Sequence, residues 1–482
     1  MTYELVIGLE VHLKLTSAHK LFCRCANVQE FENLAPNTHI CPVCTWHPGA
    51  LPVLNQDPLA QAIRLWLALN CHINQISTFD RKSYFYPDLP TGYQITQQLC
   101  PTCVDGSVTF RVDNEFTQSK TVTIRDAHIE IDSGKTTHTA TWNLLDYNRA
   151  GTPLVEIVTH PDFRDAPEVT AFLKEIQRIA KRNNLSDADM EKGQMRADVN
   201  ISLRKPDEKA YGIKVEIKNM NSFSAVRRAI DFEYKRQSTL YDAGSAPEQE
   251  TRGRDDAKWT SYVMRSKENA MDYRYMPEPD LPPLHLDLHE IDLCKTPAIV
   301  LPSERIAHYK DDYQFNKEYI NGLMSDPSVD TYFQKTLEAG HDAKLAATRI
   351  VWPIARRCNE TQKNIADVPF SFDTFLQFLT LQTAGKLSTQ QAKQVMKELL
   401  ENKASLETLM ADLPAGVDET QINIWLDEIF TTAPQMLADL RAGNRKPLWF
   451  VIWQLMQKSA GALDPKEVGG MIEKYMERHS EA

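Results

Sequence analysis

Residues 4–15, ELVIGLEVHLKL, decide how the rest of the chain is read. Leu5, Ile7, Leu9, Val11 and Leu13 alternate with Val6, Gly8, Glu10, His12 and Lys14. A period of two marks a strand with one face buried. The other face then carries a carboxylate and an imidazole two positions apart. Either that face is solvated, or it lines a cleft in which Glu10 and His12 hold a metal ion; the pair alone leaves both readings open.

Residues 121–132, TVTIRDAHIEID, favour the cleft. As a strand they present Asp126, His128, Glu130 and Asp132 on one face, with Ala127, Ile129 and Ile131 on the other. Carboxylates so placed repel one another, and a divalent cation relieves the repulsion. In LVEIV (154–158), Glu156 interrupts an apolar run, where an unpaired charge is costly. Carboxylate oxygens, one imidazole and water suit Mg²⁺, whose ligands lie at ~2.1 Å. Mg²⁺ in turn points to the phosphates of ATP. No G-x-x-x-x-G-K-[ST] or G-x-G-x-x-G occurs, so any ATP is held without a P-loop.

FCRC (22–25) and ICPVC (40–44) supply Cys23, Cys25, Cys41 and Cys44, two close pairs with the spacing of a structural Zn²⁺ site. The alternative is a set of reduced, buried small residues. Cys100 and Cys103, in QLCPTC, have no second pair in sequence and receive no role; Cys71, Cys294 and Cys358 read as core.

Length and composition bound the class. A chain of 482 residues implies two to four domains. Nine cysteines without a signal peptide fit a reducing cytoplasm rather than a disulfide framework. No apolar run is long enough to span a bilayer, so no membrane partner is expected. The net charge of −11 weighs against nucleic acid, although a local basic surface can sit within an acidic total.

Up to about Leu293 strands and helices mix; beyond it nearly every segment reads as helix. The change follows MPEPDLPPLHL (276–286), whose prolines demand an extended connector. VNISLRK (199–205) and IKVEIKN (213–219) flank a turn-rich stretch and predict an antiparallel hairpin. DAPEVTAFLKEIQRIAKRNN (165–184) predicts a helix with Asp165 and Glu168 as a capping box and Val169, Phe172, Leu173, Ile176 and Ile179 inward. A second helix is expected from about Ser224 to Ala243. A further break at ADLPAGVDET (411–420) sets off a helical tail. The expected domains are 1–293, 294–411 and 412–482.

IGLEVH, CPVC followed by PGALPVLN, FDRKSYFYPDLPTGYQITQ, DYNRAGTPLVEIV, EIKNMNSF and MRSKENAMDYRYMPEPDLPP occur in this order, ahead of the helical tail. Together they resemble, nearly end to end, the GatB family, one of the three chains of the aspartyl/glutamyl-tRNA amidotransferases. The resemblance implies an α+β cradle of largely antiparallel sheet, similar to the glutamine synthetase and guanido kinase class, followed by all-α helical and tail domains. It implies phosphorylation, with ATP and Mg²⁺, of the side-chain carboxylate of Glu on tRNA(Gln) or Asp on tRNA(Asn). Ammonia released by an amidase subunit then displaces phosphate. A small linker subunit joins the other two in a heterotrimer, and the tail holds tRNA. By the same resemblance Glu10, His12, Glu130 and Glu156 handle metal or phosphate, and Lys82 and Arg149 contact phosphate or carboxylate. Asp198 and Asn200 stand behind the ion. In the tail, Arg441, Arg445, Lys446 and Lys458 form a modest basic cluster suited to tRNA phosphates. Thr91, Ile131, Ala197 and Trp453 depart from the family's usual residues, and none belongs to the carboxylate set. The competing reading is a zinc-stabilised tRNA-binding scaffold without ATP chemistry of its own.

Overall fold

The computed structural model describes residues 3–255, 260–266, 273–361, 363–413, 419–459, 463 and 465–479. KENAMD (267–272) and the PAGVD (414–418) of the expected tail boundary lie outside the described residues. The chain divides into two compact units, Met1–Asp312 and Tyr313–Ala482.

In the first unit the strands are β1 (Glu4–Lys14), β2 (His72–Ile73), β3 (Ile76–Ser77), β4 (Asp80–Ser83), β5 (Tyr93–Thr96), β6 (Cys103–Arg111) and β7 (Ser119–Ile131). They continue with β8 (Lys135–His138), β9 (Asn143–Asp146), β10 (Pro153–Thr159), β11 (Met195–Arg204), β12 (Val215–Lys218), β13 (Glu250–Asp255) and β14 (Thr260–Ser266). Nine of them form one sheet in the order β14-β13-β12-β11-β1-β10-β7-β6-β2. Among the described residues every pairing in it is antiparallel except β12 with β13. The hairpin expected around 199–219 is β11 and β12, with Val199 opposite Ile217.

Strand β1 lies at the centre, and its alternation has the cause read from sequence. Ile7, Leu9, Val11 and Leu13 are buried in one core with residues of α1 (Gln56–Ala68), α2 (Ala166–Arg182) and α3 (Phe223–Asp242). Val169, Phe172, Leu173, Ile176 and Ile179 of α2 are all buried there, each worth roughly 1.5–3 kcal/mol of transfer from water. The Asp165 side chain caps α2 by accepting from the Glu168 N–H. The reciprocal half differs from the expected box: the Glu168 carboxylate accepts from the Arg164 N–H at 2.7 Å and pairs with Lys120 at 2.6 Å. A cation in reach and a free amide one residue earlier outcompete the Asp165 amide. Helix α3 is capped by Ser222 and ends at Ala243, before Gly244 at φ +75°.

The proline-rich passage is extended, and it is woven into this unit. Met276–Pro277 pairs with β4 and Leu284–His285 with β3. The helix Pro302–Asp311 follows, and its Ser303 N–H donates to the Glu175 carboxylate of α2 at 2.8 Å. The sequence boundary near 293 therefore falls inside the unit that ends at Asp312.

Among its described residues, the regular elements of the second unit are all helices. Its last part has a core of its own, in which Ile422, Leu426, Val451, Leu455 and Ile472 are buried together. Among the described residues no helix of the protein is long and apolar enough to cross a membrane.

Candidate active site

Antiparallel register builds the site. On the face of the sheet opposite the helices, Arg196 lies opposite His12, His12 opposite Glu156, and Glu156 opposite His128, a row crossing β11, β1, β10 and β7. Directly opposed side chains in such a sheet stand ~5 Å apart. His12 Nε2 lies 3.3 Å from Glu156 Oε2 and 3.6 Å from Glu130 Oε1. His128 Nε2 lies 3.6 Å from Glu156 Oε2, and its Nδ1 lies 3.3 Å from Asp126 Oδ1. One ligand atom from each of His12, Glu130 and Glu156 falls within 4.8 Å of the others.

Charge in this row is mutually determined. Burial and the Glu156 carboxylate push the Glu130 carboxyl above its ordinary value. Burial penalises ionised Glu156, yet His12 and His128 outweigh that cost and hold it well below the usual range. Burial works against protonated His128, but Glu156 and Asp126 push its imidazole up to about 10. Lys82, on β4, follows the same rule: its burial is overcome by Glu156 and Glu130, which raise it. A buried carboxylate, a half-buried one and an imidazole converging from three strands fit a hard divalent cation such as Mg²⁺.

One row away is a second group. Asp198 lies opposite Glu10, and the oxygens of Glu10, Asp198 and Glu216 come within 4.8 Å of one another. Lys218 Nζ lies 2.5 Å from Asp198 Oδ2 and 3.4 Å from Glu216 Oε1. Asn200 Nδ2 donates to Glu10 Oε1 at 3.0 Å. Glu10 and His12 thus share a strand face but belong to different clusters. Burial and the Glu156 and Glu216 carboxylates raise the Glu10 carboxyl.

A cavity of about 550 Å³ opens over this face, lined among others by His12, Lys82, Glu130, Arg196, Asp198 and Lys218. Asp132 lies just beyond β7, paired with Arg196 at 2.6 Å, and burial is overcome so that its carboxyl is lowered by Arg196 and Arg149. Arg149 lies 3.5 Å from Asp132, its Nε donates to Ser133 O at 3.0 Å and its Nη2 to Gly134 O at 2.6 Å. Sequence reasoning missed Glu216, Lys218 and Arg196. Glu216 carried a usable signal, since VEI in β12 repeats the acid-in-an-apolar-run pattern of Glu156. Ile131 packs in the apolar core with Ile129. The Thr91 hydroxyl donates to Tyr93 O and lines a small recess beside Cys44 and Trp46, outside the acidic cavity.

The sulfurs of Cys23, Cys25, Cys41 and Cys44 all lie within 4.8 Å of one another. The Cys41 N–H donates to Cys44 Sγ at 3.2 Å, and fully buried Lys20 places Nζ 3.7 Å from the same sulfur. The Cys44 thiol is lowered to about 5, chiefly by the Cys23 thiol donating to it, against the cost of burial and with help from Lys20. Gly151, at φ +81°, brings backbone against this loop; a Cβ there would sit 3.4 Å from Cys44 Cβ. Four thiol ligands with a buried ammonium to offset their charge fit Zn²⁺. Cys103 is buried beside Cys71, whose thiol meets it, and Cys100 donates to Ile76 O at 3.5 Å; both are free thiols.

In the tail, Lys458 pairs with Glu428 at 2.6 Å and Arg441 donates to His479 O at 2.5 Å. Arg445 lies 3.7 Å from Glu473 and is 80% exposed, with Lys446 exposed beside it.

The sequence profile of the GatB/GatE catalytic domain matches residues 5–292, and that of the GatB domain matches 331–476. The aspartyl/glutamyl-tRNA(Asn/Gln) amidotransferase B subunit of Elusimicrobium minutum is 39% identical over 477 residues, covering 98% of this chain and 99% of its own. The proteins of the same name from Gloeothece citriformis (37% over 487 residues, 98% of each chain) and Persephonella marina (36% over 479 residues, 99% and 100%) are similar throughout. A mixed sheet with an acidic face, a helical C-terminal part and these matches define a component of a carbon–nitrogen ligase. The chain belongs to the GatB family of tRNA amidotransferase subunits.

Proposed function

We propose that this chain activates and amidates the side-chain carboxylate of Glu on tRNA(Gln), Asp on tRNA(Asn), or both, using ATP and Mg²⁺ in the cytoplasm. The observation that carries the reading is the convergence of His12, Glu130 and Glu156 beneath a cavity that also receives Lys82 and Arg196. The names of the relatives support the substrate class.

A free carboxylate is a poor acyl donor, and an acyl phosphate is a good one. The substrate carboxylate oxygen attacks the γ-phosphorus, the bond to the β–γ bridging oxygen breaks, and ADP leaves. Ammonia then attacks the acyl carbon, the bond to the phosphate oxygen breaks, and phosphate departs with that electron pair as nitrogen loses a proton. His12, Glu130 and Glu156 would hold Mg²⁺, which when bound neutralises charge on the phosphoryl oxygens. Lys82 and Arg196 add fixed positive charge where the phosphates and the substrate carboxylate meet. Asp132 orients Arg196, and Lys218 and Asn200 hold the second carboxylate group in place.

The reading extends to the assembly. Ammonia comes through a channel from an amidase partner, and a small linker chain ties the two together as a heterotrimer. Residues 1–293 act as a cradle of the glutamine synthetase and guanido kinase kind, with Cys23, Cys25, Cys41 and Cys44 holding structural Zn²⁺. Residues 294–411 form a helical domain, and 412–482 a tail in which exposed Arg445 and Lys446 meet tRNA phosphates.

The test is ATP-dependent amide formation on each misacylated tRNA by the purified assembly. ATP turnover should require the misacylated tRNA, and Glu10→Gln should abolish amidation while glutaminase activity persists. Tightly bound tRNA with no ATP turnover in any preparation would instead leave the scaffold reading standing.

A further inference from the structure

One group of side chains at the cavity mouth has no part in the chemistry above. Tyr84 lines the cavity, and its ring lies 5.9 Å from Tyr86 and 6.4 Å from Tyr273, both edge-on. Tyr273 in turn lies 6.0 Å from Tyr275. Phe85 and Tyr86 stand outward, 76% and 55% exposed. Gly92, at φ +71°, seats the Phe85 ring, which would lie 3.6 Å from a Cβ built there. Arg274 places its guanidinium 5.7 Å from the Phe85 centroid, and Lys82 Nζ lies 5.0 Å from that of Tyr273. Tyr84, Tyr86, Tyr273 and Tyr275 thus form a run of ring contacts leading out from the acidic cavity, with Lys82 against Tyr273, and exposed Phe85, next in sequence to Tyr84 and Tyr86, carries Arg274.

We propose that Tyr84, Phe85, Tyr86 and Tyr273 form a stacking site for the unpaired 3′-terminal nucleobase of the aminoacyl-tRNA, with Arg274 on the adjoining phosphodiester. This rests on the function proposed above. Unpaired bases are bound by stacking on aromatic rings, with arginine or lysine on the backbone. The cation decides between the two available bases. A free nucleotide directs its phosphates to the cavity's cations and metal ligands, so Arg274 beside its base would meet no phosphate. A strand end carries a phosphodiester next to its terminal nucleoside, and it approaches from solvent, where Phe85 and Tyr86 face. Once stacked there, the terminal ribose lies at the cavity mouth and its esterified side chain can reach inward to Lys82 and the carboxylates.

The experiment uses the assembled amidotransferase. Replacing Phe85 and Tyr86 together by Ala should raise KM for misacylated tRNA about tenfold, with kcat and the KM values for ATP and glutamine unchanged. Phe85→Trp with Tyr86→Phe should restore it. Independently of turnover, tRNA carrying 2-aminopurine as its last base should lose fluorescence on binding the wild type and keep it with the double Ala variant. Arg274→Ala should flatten the salt dependence of tRNA binding. A rise in KM for ATP in place of tRNA would overturn the proposal, as would amidation with unaltered KM values and no quenching. Quenching without any amidation would keep the stacking site and remove the proposed reaction.

Discussion

The two ligand sets in the first unit are made in opposite ways. The four cysteines come from one loop, so their spacing is visible along the chain, and that loop is tied down piecemeal: Lys20 Nζ donates to His39 O, Asn55 Nδ2 to Lys20 O and Cys23 O, and the His39 N–H to Asn148 Oδ1. The carboxylate row is drawn from strands far apart in sequence, and the hydrogen-bonded register of β11, β1, β10 and β7 positions it whether or not an ion is present. On the proposed reading, zinc would cross-link a loop that lies outside the sheet, whereas the carboxylates are placed by the sheet's own backbone pairing. Removing a ligand should therefore cost activity in the sheet and stability in the loop.

The largest effect is expected at Glu156. Glu156→Gln should lower amide formation by about 10²–10³-fold, the size of losing one group that stabilises developing charge. The melting temperature should stay nearly unchanged, and a large drop would mean the row is structural. Cys41→Ser comes next. It should cost about 3 kcal/mol, comparable to releasing a cross-link across a loop of this length. Amide exchange over 20–55 should rise while the central strands stay protected; uniform loss of protection would erase the contrast. Lys20→Met should weaken zinc about tenfold in a chelator competition and leave activity intact with zinc in excess. Smallest is Asp165→Ala, which should lower stability by about 1 kcal/mol and touch neither metal, as melting and zinc retention would show.

The legible parts of the molecule were those fixed by local periodicity. The alternation of β1, the inward stripe of α2 and the β11–β12 hairpin each follow from a few adjacent residues. Glu130 stood out as one of four polar residues alternating on a strand face, and Glu156 as an acid interrupting an apolar run. The placing of β1 beside β11 was not legible, and it sorts the carboxylates: it brings Glu10 to Asp198 and Glu216, which the β11–β12 hairpin already holds side by side. The pairing of Asp132 with Arg196 depends on the same non-sequential order. Arg149 was picked out by residue type, and what sequence did not show is that its guanidinium bonds the Ser133 and Gly134 carbonyls and lies 3.5 Å from Asp132.

The opposition of residues 196, 12, 156 and 128 has a bearing on how such a chain can vary in length. Side chains in a strand change sides at each step, so one unbulged residue inserted within β1 would carry an imidazole into the greasy layer under α2 and deliver a leucine to the acidic cavity. Changes of length are therefore tolerated in the turns or where a bulge absorbs them, as the register shift between Val158 and Thr159 in the β10–β7 pairing does beyond the row.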